Sequence, residues 1–245
     1  MLLLFTDLDD TLFTSTRKAA PTPAHVPLAY VLGRREFMGL DFRVTRDTLI
    51  PRPDTEVLVQ CALDFLRART DGGANDLRIA DIGTGTGAIA LSVIHYTEGA
   101  CADVVDISPA AAAVARENAE KLGLTERLDV HVGDLLAPLA GRSYDMILSN
   151  PPYIPSADIA ELMPEVCRYE PHLALDGGAD GLDIYRRLMA DAPTLLKDGG
   201  AIAVEVGMDE AKAVAELAIA HPRIVRTEIL KDLAGIERVV VGYTQ

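Results

Sequence analysis

From Leu77 onward, short apolar runs alternate with longer stretches in which apolar residues recur at helical spacing. Leu77–Ile82, Ala102–Ile107, Leu128–Val132, Asp145–Ser149 and Ala201–Val206 read as strands. Between them, Ala88–His95, Pro109–Leu122, Gly181–Leu196 and Met208–Ala220 read as helices, with Asp198-Gly199-Gly200 stopping the third. Ile224–Leu230 and Arg238–Tyr243 close the series as an antiparallel pair around Ala234-Gly235. Strands and helices alternating at these lengths predict an α/β fold, a mostly parallel sheet with helices on both faces.

Upstream the rhythm changes. Val57, Leu58, Cys61, Ala62, Phe65 and Leu66 predict a helix that Asp54 or Thr55 can cap and that Asp71-Gly72-Gly73 ends. Before it, Pro27 to Thr55 reads as strand and turn: Phe42-Arg43-Val44 alternates, and two prolines hold Leu49–Pro53 extended. Residues 1–26 differ again, with an apolar Leu2–Phe5, a polar Thr14–Lys18 and then Pro21 and Pro23. Three parts are therefore expected: an atypical segment and linker at 1–26, a β-hairpin linker on the substrate side at 27–56, and the main domain at 57–245.

Composition narrows the partners. The 245 residues are 49% hydrophobic, enough to bury one large α/β core. The net charge of −14, from 37 acidic against 23 basic residues, argues against nucleic acid, whose phosphates call for a basic face. No apolar stretch approaches the ~18 residues of a membrane span, and Met1–Phe5 meets Asp7 with no basic residue before it. A cytoplasmic location is expected. Cys61, Cys101 and Cys167 lie far apart without CxxC spacing and read as reduced, mostly buried thiols. The five histidines lack ligand spacing, so no metal is expected.

Asp81-Ile82-Gly83-Thr84-Gly85-Thr86-Gly87 stands where a strand passes into a helix. Glycines there allow a sharp turn and let a ligand approach main-chain N–H groups. Alone, the loop fits a dinucleotide site or a plain tight turn. Asp106, at the end of the following strand, adds a carboxylate placed to accept both hydroxyls of a ribose. The GxGxG spacing, unlike the GxGxxG that seats a pyrophosphate, favours S-adenosyl-L-methionine, with Asp81 available to the amine of its methionine tail.

Ser149-Asn150-Pro151-Pro152-Tyr153 follows the fourth strand and should open onto the same crevice. It can be read as a rigid turn. It can also hold a planar amide or amino group. An amide nitrogen is a weak nucleophile because its lone pair is shared with the carbonyl. The Asn150 side-chain oxygen and the Pro151 carbonyl can accept its two N–H groups and aim the lone pair at a methyl donor. Pro151 and Pro152 pre-organise these acceptors, and Tyr153 can pack on the flat face of the group. No general base beside Asn150 is evident from the sequence, and none is needed, because the methylated nitrogen can lose its proton to water.

These residues resemble the HemK/PrmC family, which methylates the glutamine of the Gly-Gly-Gln motif in peptide chain release factors. The resemblance runs from about Pro27 to the C-terminus through Pro27–Tyr30, Arg35-Glu36-Phe37, Thr48–Glu56, Asp81–Ala90, Ser149–Ile154, Tyr169-Glu170-Pro171, Asp176-Gly177-Gly178, Asp180–Asp183, and Lys231-Asp232-Leu233 with Arg238-Val239-Val240. Asn-Pro-Pro-Tyr also marks adenine-N6 methyltransferases and a ribosomal-protein glutamine methyltransferase, which stand as alternatives. Pro51–Glu56 is the more selective piece and favours the release-factor branch. The resemblance implies a Rossmann-like class I methyltransferase of seven strands, mostly parallel, with an antiparallel C-terminal pair. It implies that Gly83 to Gly87, Asp106 and Asn150 line the cofactor pocket, that Asp134-Leu135 flanks the adenine, and that Asn150 to Tyr153 hold the substrate amide. Leu135 replaces an aromatic residue common there, and Glu210 a glutamine.

The front is the larger departure. Bacterial members of the family usually carry a helical domain there, where this chain has about 26 residues of another character. Phe5-Thr6-Asp7-Leu8-Asp9-Asp10-Thr11-Leu12 resembles the first motif of haloacid-dehalogenase-type phosphatases, in which the first aspartate attacks phosphorus beside a magnesium ion. That fold needs a domain of its own, and the sequence from Pro27 onward reads as methyltransferase. Asp7 and Asp9 are expected to be chemically idle.

Overall fold

The computed structural model describes residues 25–245; the Asp7–Thr11 motif lies outside them. The elements in chain order are α1 (Leu28–Leu32), β1 (Arg34–Phe37), β2 (Leu40–Arg43), α2 (Glu56–Asp71), β3 (Arg78–Ile82), α3 (Ala88–Tyr96), β4 (Cys101–Asp106) and α4 (Pro109–Leu122). They continue with β5 (Leu128–Val132), β6 (Tyr144–Ser149), α5 (Pro164–Cys167), α6 (Asp183–Asp191), β7 (Leu196–Glu205), α7 (Ala211–Ile219), β8 (Ile224–Lys231) and β9 (Glu237–Thr244).

The main sheet has seven strands in the order β5-β4-β3-β6-β7-β9-β8. The first five pair in parallel, and β9 joins β7 and β8 antiparallel, as the sequence pattern predicts. Central strands carry apolar residues on both faces because both are covered; every residue of β6 is buried. One buried cluster joins α2 and α3 to the sheet through Leu58, Leu66, Leu91 and Ile94, and the other joins α6 and α7 through Tyr185, Leu188 and Val214. Chain order reverses between β3 and β6, so a crevice opens beyond the carboxyl ends of β4, β3 and β6.

Several details differ from the pattern-based reading. Residues 28–32 form a short helix rather than strand or turn, started by Pro27 and stopped by Gly33 in the left-handed region at φ 69°. The third helix of the alternating set ends at Asp191, because Pro193 tightens Ala192–Leu195 into a 3-10 turn. Asp198-Gly199-Gly200 lies within β7, at a register shift opposite Tyr144 and Met146, rather than ahead of the strand. All three cysteines are free but only half-buried.

Pro53, expected to be extended, begins a 3-10 turn over Pro53–Thr55 that leads directly into α2. Neither Asp54 nor Thr55 caps that helix: no side-chain cap bond is made at its start. Both side chains are committed elsewhere, with consequences for the site.

Candidate active site

A cavity of about 430 Å³ fills the crevice, a size suited to a nucleoside-sized ligand. Gly83, Thr84, Gly85 and Thr86 form its floor, and Asp106, Asp134 and Leu135 one end. Asn150 and Pro152 line it together with Thr48, Pro51, Arg52 and Thr55, as do Pro171 and Leu173.

The glycine loop is fastened from beneath. Gly83 and Thr84 donate their N–H groups to the Val105 carbonyl at 2.8 and 3.1 Å, curling the loop over the end of β4. Gly85, at φ +55°, gives its N–H to Asp106 Oδ2 at 2.8 Å, and Ser108 N–H reaches Oδ1 at 2.8 Å. Burial raises the pKa of Asp106, and these two N–H groups pull it back down. A carboxylate oxygen has more than one acceptor site, so both retain capacity for ligand hydroxyls.

Asp81 lies fully buried under the same loop. Its Oδ2 accepts the Thr84 hydroxyl at 2.7 Å and the Ala90 N–H at 3.4 Å, while Oδ1 has no partner. Burial pushes its pKa up to about 7. Asn118, also fully buried, ties the floor to β2: its Nδ2 donates to the carbonyls of Thr86 and Arg43, and its Oδ1 accepts Arg43 N–H. Sequence reasoning missed Asn118. Its signal is a lone carboxamide on the otherwise apolar buried face of α4.

Pro51–Glu56 turns out to be a set of ties. Arg52 bonds Glu170, which is 6% exposed and whose carboxyl is pushed up by burial and pulled back by Arg52. Asp54 pairs with Arg238 of β9 at 2.8 Å. Thr55 Oγ1 accepts Asn150 Nδ2 at 3.2 Å, and Glu56 Oε1 accepts Met38 N–H at 3.1 Å. The segment thereby joins the β1–β2 hairpin, the Asn-Pro-Pro-Tyr loop and the last strand around one wall of the cavity.

The Asn150 loop is held from two sides. Ser149 donates its hydroxyl to the Ile82 carbonyl at 2.6 Å, locking the ends of β6 and β3 together. Ile154 N–H bonds the Leu175 carbonyl at 3.0 Å, and Gly177 N–H returns to the Ile154 carbonyl at 2.9 Å. A Cβ on Gly177 would sit 2.7 Å from both Tyr153 Cα and the Gly181 carbonyl oxygen. Asp176-Gly177-Gly178 is thus a backbone buttress, and glycine is required for the close approach.

Of the residues expected at the site, Gly83 to Thr86, Asp106, Asp134, Leu135, Asn150 and Pro152 line the cavity. Asp81, Gly87, Pro151 and Tyr153 are not among the lining residues. Gly87 instead lets α3 approach α4, where a Cβ would lie 2.9 Å from Leu91 Cδ1 and 3.3 Å from Ala115 Cβ. Tyr153 packs into the core beside Gly207, and burial together with the nearby Glu205 pushes its hydroxyl up to about 12. Asp134 is exposed and accepts Arg187 Nη2 at 2.6 Å, while Leu135 takes a left-handed φ of 45° at the turn. Among the described residues, no group of three His, Cys, Asp or Glu side chains is gathered to hold a metal ion, and no helix is long and apolar enough to cross a membrane.

A parallel sheet closed by an antiparallel pair, a glycine loop beneath an acid at the next strand's end, and an Asn-Pro-Pro-Tyr loop across the cavity define a class I S-adenosylmethionine-dependent methyltransferase. Residues 57–166 match the methyltransferase small domain family. The chain is 49% identical over 220 residues to a release factor glutamine methyltransferase of Moorella thermoacetica, covering 90% of this chain and 76% of that protein. The Bacillus subtilis release factor glutamine methyltransferase is 39% identical over 236 residues, covering 95% and 80%. A solved protein-(glutamine-N5) methyltransferase, release-factor-specific, from Alicyclobacillus acidocaldarius superposes with a TM-score of 0.50 at 34% identity, covering 83% of this chain and 99% of that one. The chain belongs to the release factor glutamine methyltransferase family.

Proposed function

We propose that this protein transfers a methyl group from S-adenosyl-L-methionine to the side-chain amide nitrogen of the glutamine in the Gly-Gly-Gln motif of peptide chain release factors. The observation that carries this reading is the Asn150 carboxamide, whose nitrogen is engaged by Thr55 and whose oxygen takes no hydrogen bond from the described residues. That oxygen is left to accept an N–H from a planar amide in the cavity. The Pro151 carbonyl is assigned the second N–H, and Tyr153 supports the loop from behind.

The residues present fit the cofactor. Asp106 offers a buried carboxylate to ribose hydroxyls, and Asp134 and Leu135 flank the adenine end. The unpartnered Oδ1 of Asp81 is a buried acceptor beneath the loop, suited to an ammonium group. When bound, S-adenosylmethionine supplies an electrophilic sulfonium methyl. The protein's part is orientation: the amide nitrogen forms the N–C bond as the S–C bond breaks, and the surplus N–H proton leaves to water. Residues 27–56 are assigned to the substrate side and 57–245 to the catalytic domain. The −14 net charge counts against adenine in nucleic acid as the acceptor.

Incubation with labelled S-adenosylmethionine and a release factor should label the factor, and a Gly-Gly-Ala version should stay unlabelled. Equal labelling of both would sink the assignment.

A further inference from the structure

Glu205 ends β7 beside β6, with Val204 paired opposite Ser149, so its side chain falls next to Asn150. It is 4% exposed, lies outside the cavity lining, and its Oε2 has no partner. The side chains of Thr55 and Asn150 both hydrogen-bond to its carboxyl, and Asn150 Nδ2 also reaches Thr55 Oγ1 at 3.2 Å. Sequence reading expects no carboxylate beside Asn150. The fold supplies one, outside the cavity lining that Asn150 helps to form.

We propose that Glu205 is a positioning residue that, with the Thr55 hydroxyl, fixes the Asn150 carboxamide with its nitrogen inward and its oxygen toward the substrate amide. The proposal rests on the reading of Asn150 given above and adds what decides its orientation. An ionised carboxylate only accepts hydrogen bonds. Facing one, Thr55 must point its O–H at Glu205 and receive Asn150 Nδ2–H on a lone pair. Asn150 must turn its NH₂ edge the same way. A flipped carboxamide would bring its oxygen against the carboxylate, two acceptors with no proton between them. Glu205 is buried and outside the cavity lining, so it is not placed to serve as the base.

A protonated Glu205 carries an O–H and tolerates either orientation, so the selection requires the anion. Burial pushes its pKa up to about 7, opposed by the Thr55 hydroxyl, the charge of Arg238 and the Asn150 amide, while Asp54 adds to the rise. The groups facing it are Arg238 on β9, Asp54 in the 3-10 turn, Tyr153 in the loop, and Tyr185 on α6, which donates to the Glu205 backbone carbonyl at 2.8 Å. The aligned orientation is therefore enforced above about pH 7 and shares the site with the flipped one below it.

Two readouts test this in the full chain. With a Gly-Gly-Gln peptide and saturating cofactor, Glu205→Gln should lower kcat by about 10-fold or more while KM for the cofactor stays within about 2-fold. It should also abolish the acidic limb of the kcat profile. Without cofactor, the Asn150 side-chain amide signals, assigned by their loss in Asn150→Ala, should shift between about pH 6 and about pH 8 in the wild type. They should stay still in Glu205→Gln. Should Glu205→Gln not fold, Thr55→Val removes one stabiliser of the anion and should move both transitions to higher pH. Full kcat with the acidic limb kept in Glu205→Gln, or amide signals in the wild type indifferent to pH, would overturn the proposal. A wild type that labels no Gly-Gly-Gln peptide refutes the substrate reading alone, because the amide titration still decides the role of Glu205.

Discussion

A single carboxylate shows how the site sets function against stability. Asp81 is buried with one oxygen unpartnered, and its pKa stands near 7, above that of an exposed aspartate. A carboxyl whose folded pKa is raised stabilises the fold while protonated, and that contribution is lost as pH rises through the folded value. Asp81→Asn removes the charge and keeps an acceptor for the Thr84 hydroxyl. It should raise the melting temperature at about pH 8 by about 2–4 °C, the response to roughly 1 kcal/mol in a chain of this size. The gain should shrink near about pH 5.5, where the wild type is already neutral. Cofactor affinity should fall in the same variant. Calorimetric melts at both pH values, with titration of the cofactor, check the trade, and a lower melting temperature at pH 8 would contradict it.

Two other side chains should separate binding from chemistry. Asn150→Ala should keep cofactor affinity within a few-fold and lower single-turnover rates by about 100-fold or more, the scale of losing oriented hydrogen bonds at a reacting centre. Asp106→Ala should do the reverse, weakening cofactor binding by about 2–4 kcal/mol. Part of that loss is indirect, because Asp106 also anchors Gly85 N–H. An unchanged cofactor dissociation constant in Asp106→Ala, or near-normal turnover in Asn150→Ala, would remove that residue from its role.

At the scale of elements, the sheet is legible in the sequence because parallel strands bury both faces and so read as apolar runs. The glycine loop and the Asn150 loop are legible because their position at strand ends follows from that alternation. Asn118, Glu170, Glu205 and Arg238 were not legible as a set. Each matters through a partner distant in the chain, such as Arg238 for Asp54, and spacing carries no trace of that. Thr55 illustrates the same limit: next to a helix start, local chemistry favours a cap, but the half-buried Asn150 carboxamide claims the hydroxyl. The buttress loop yields a test at this scale. Gly177→Ala forces a Cβ to within 2.7 Å of the Tyr153 backbone, which has no rotamer with which to yield. Displacing the Asn150 loop should lower kcat by roughly 10- to 100-fold with cofactor affinity kept. Full activity in Gly177→Ala would show that the loop tolerates the shift.

For the whole molecule, the described residues that line the cavity begin at Phe37, and Tyr30 braces them by donating its hydroxyl to the Thr48 carbonyl at 2.7 Å. Deleting residues 1–22 is therefore expected to leave methyl transfer to a Gly-Gly-Gln peptide intact, and loss of that activity would assign those residues a part in it. Magnesium-dependent phosphoester hydrolysis that vanishes in Asp7→Asn would instead make the protein bifunctional.

The position of β9 has a consequence for biosynthesis. It is made after β8 yet lies between β7 and β8 in the sheet. During translation, β8 leaves the ribosome with no strand to join, and β7 keeps an open edge until Glu237–Thr244 has followed. Asp54 waits for Arg238 over the same interval, so this wall of the cavity is tied late. Nascent chains stalled with only residues up to Ile236 outside the ribosome should expose β7 to protease, and chains that have extruded Thr244 should not. The newly made protein then acquires its capacity to modify the termination machinery in one late step.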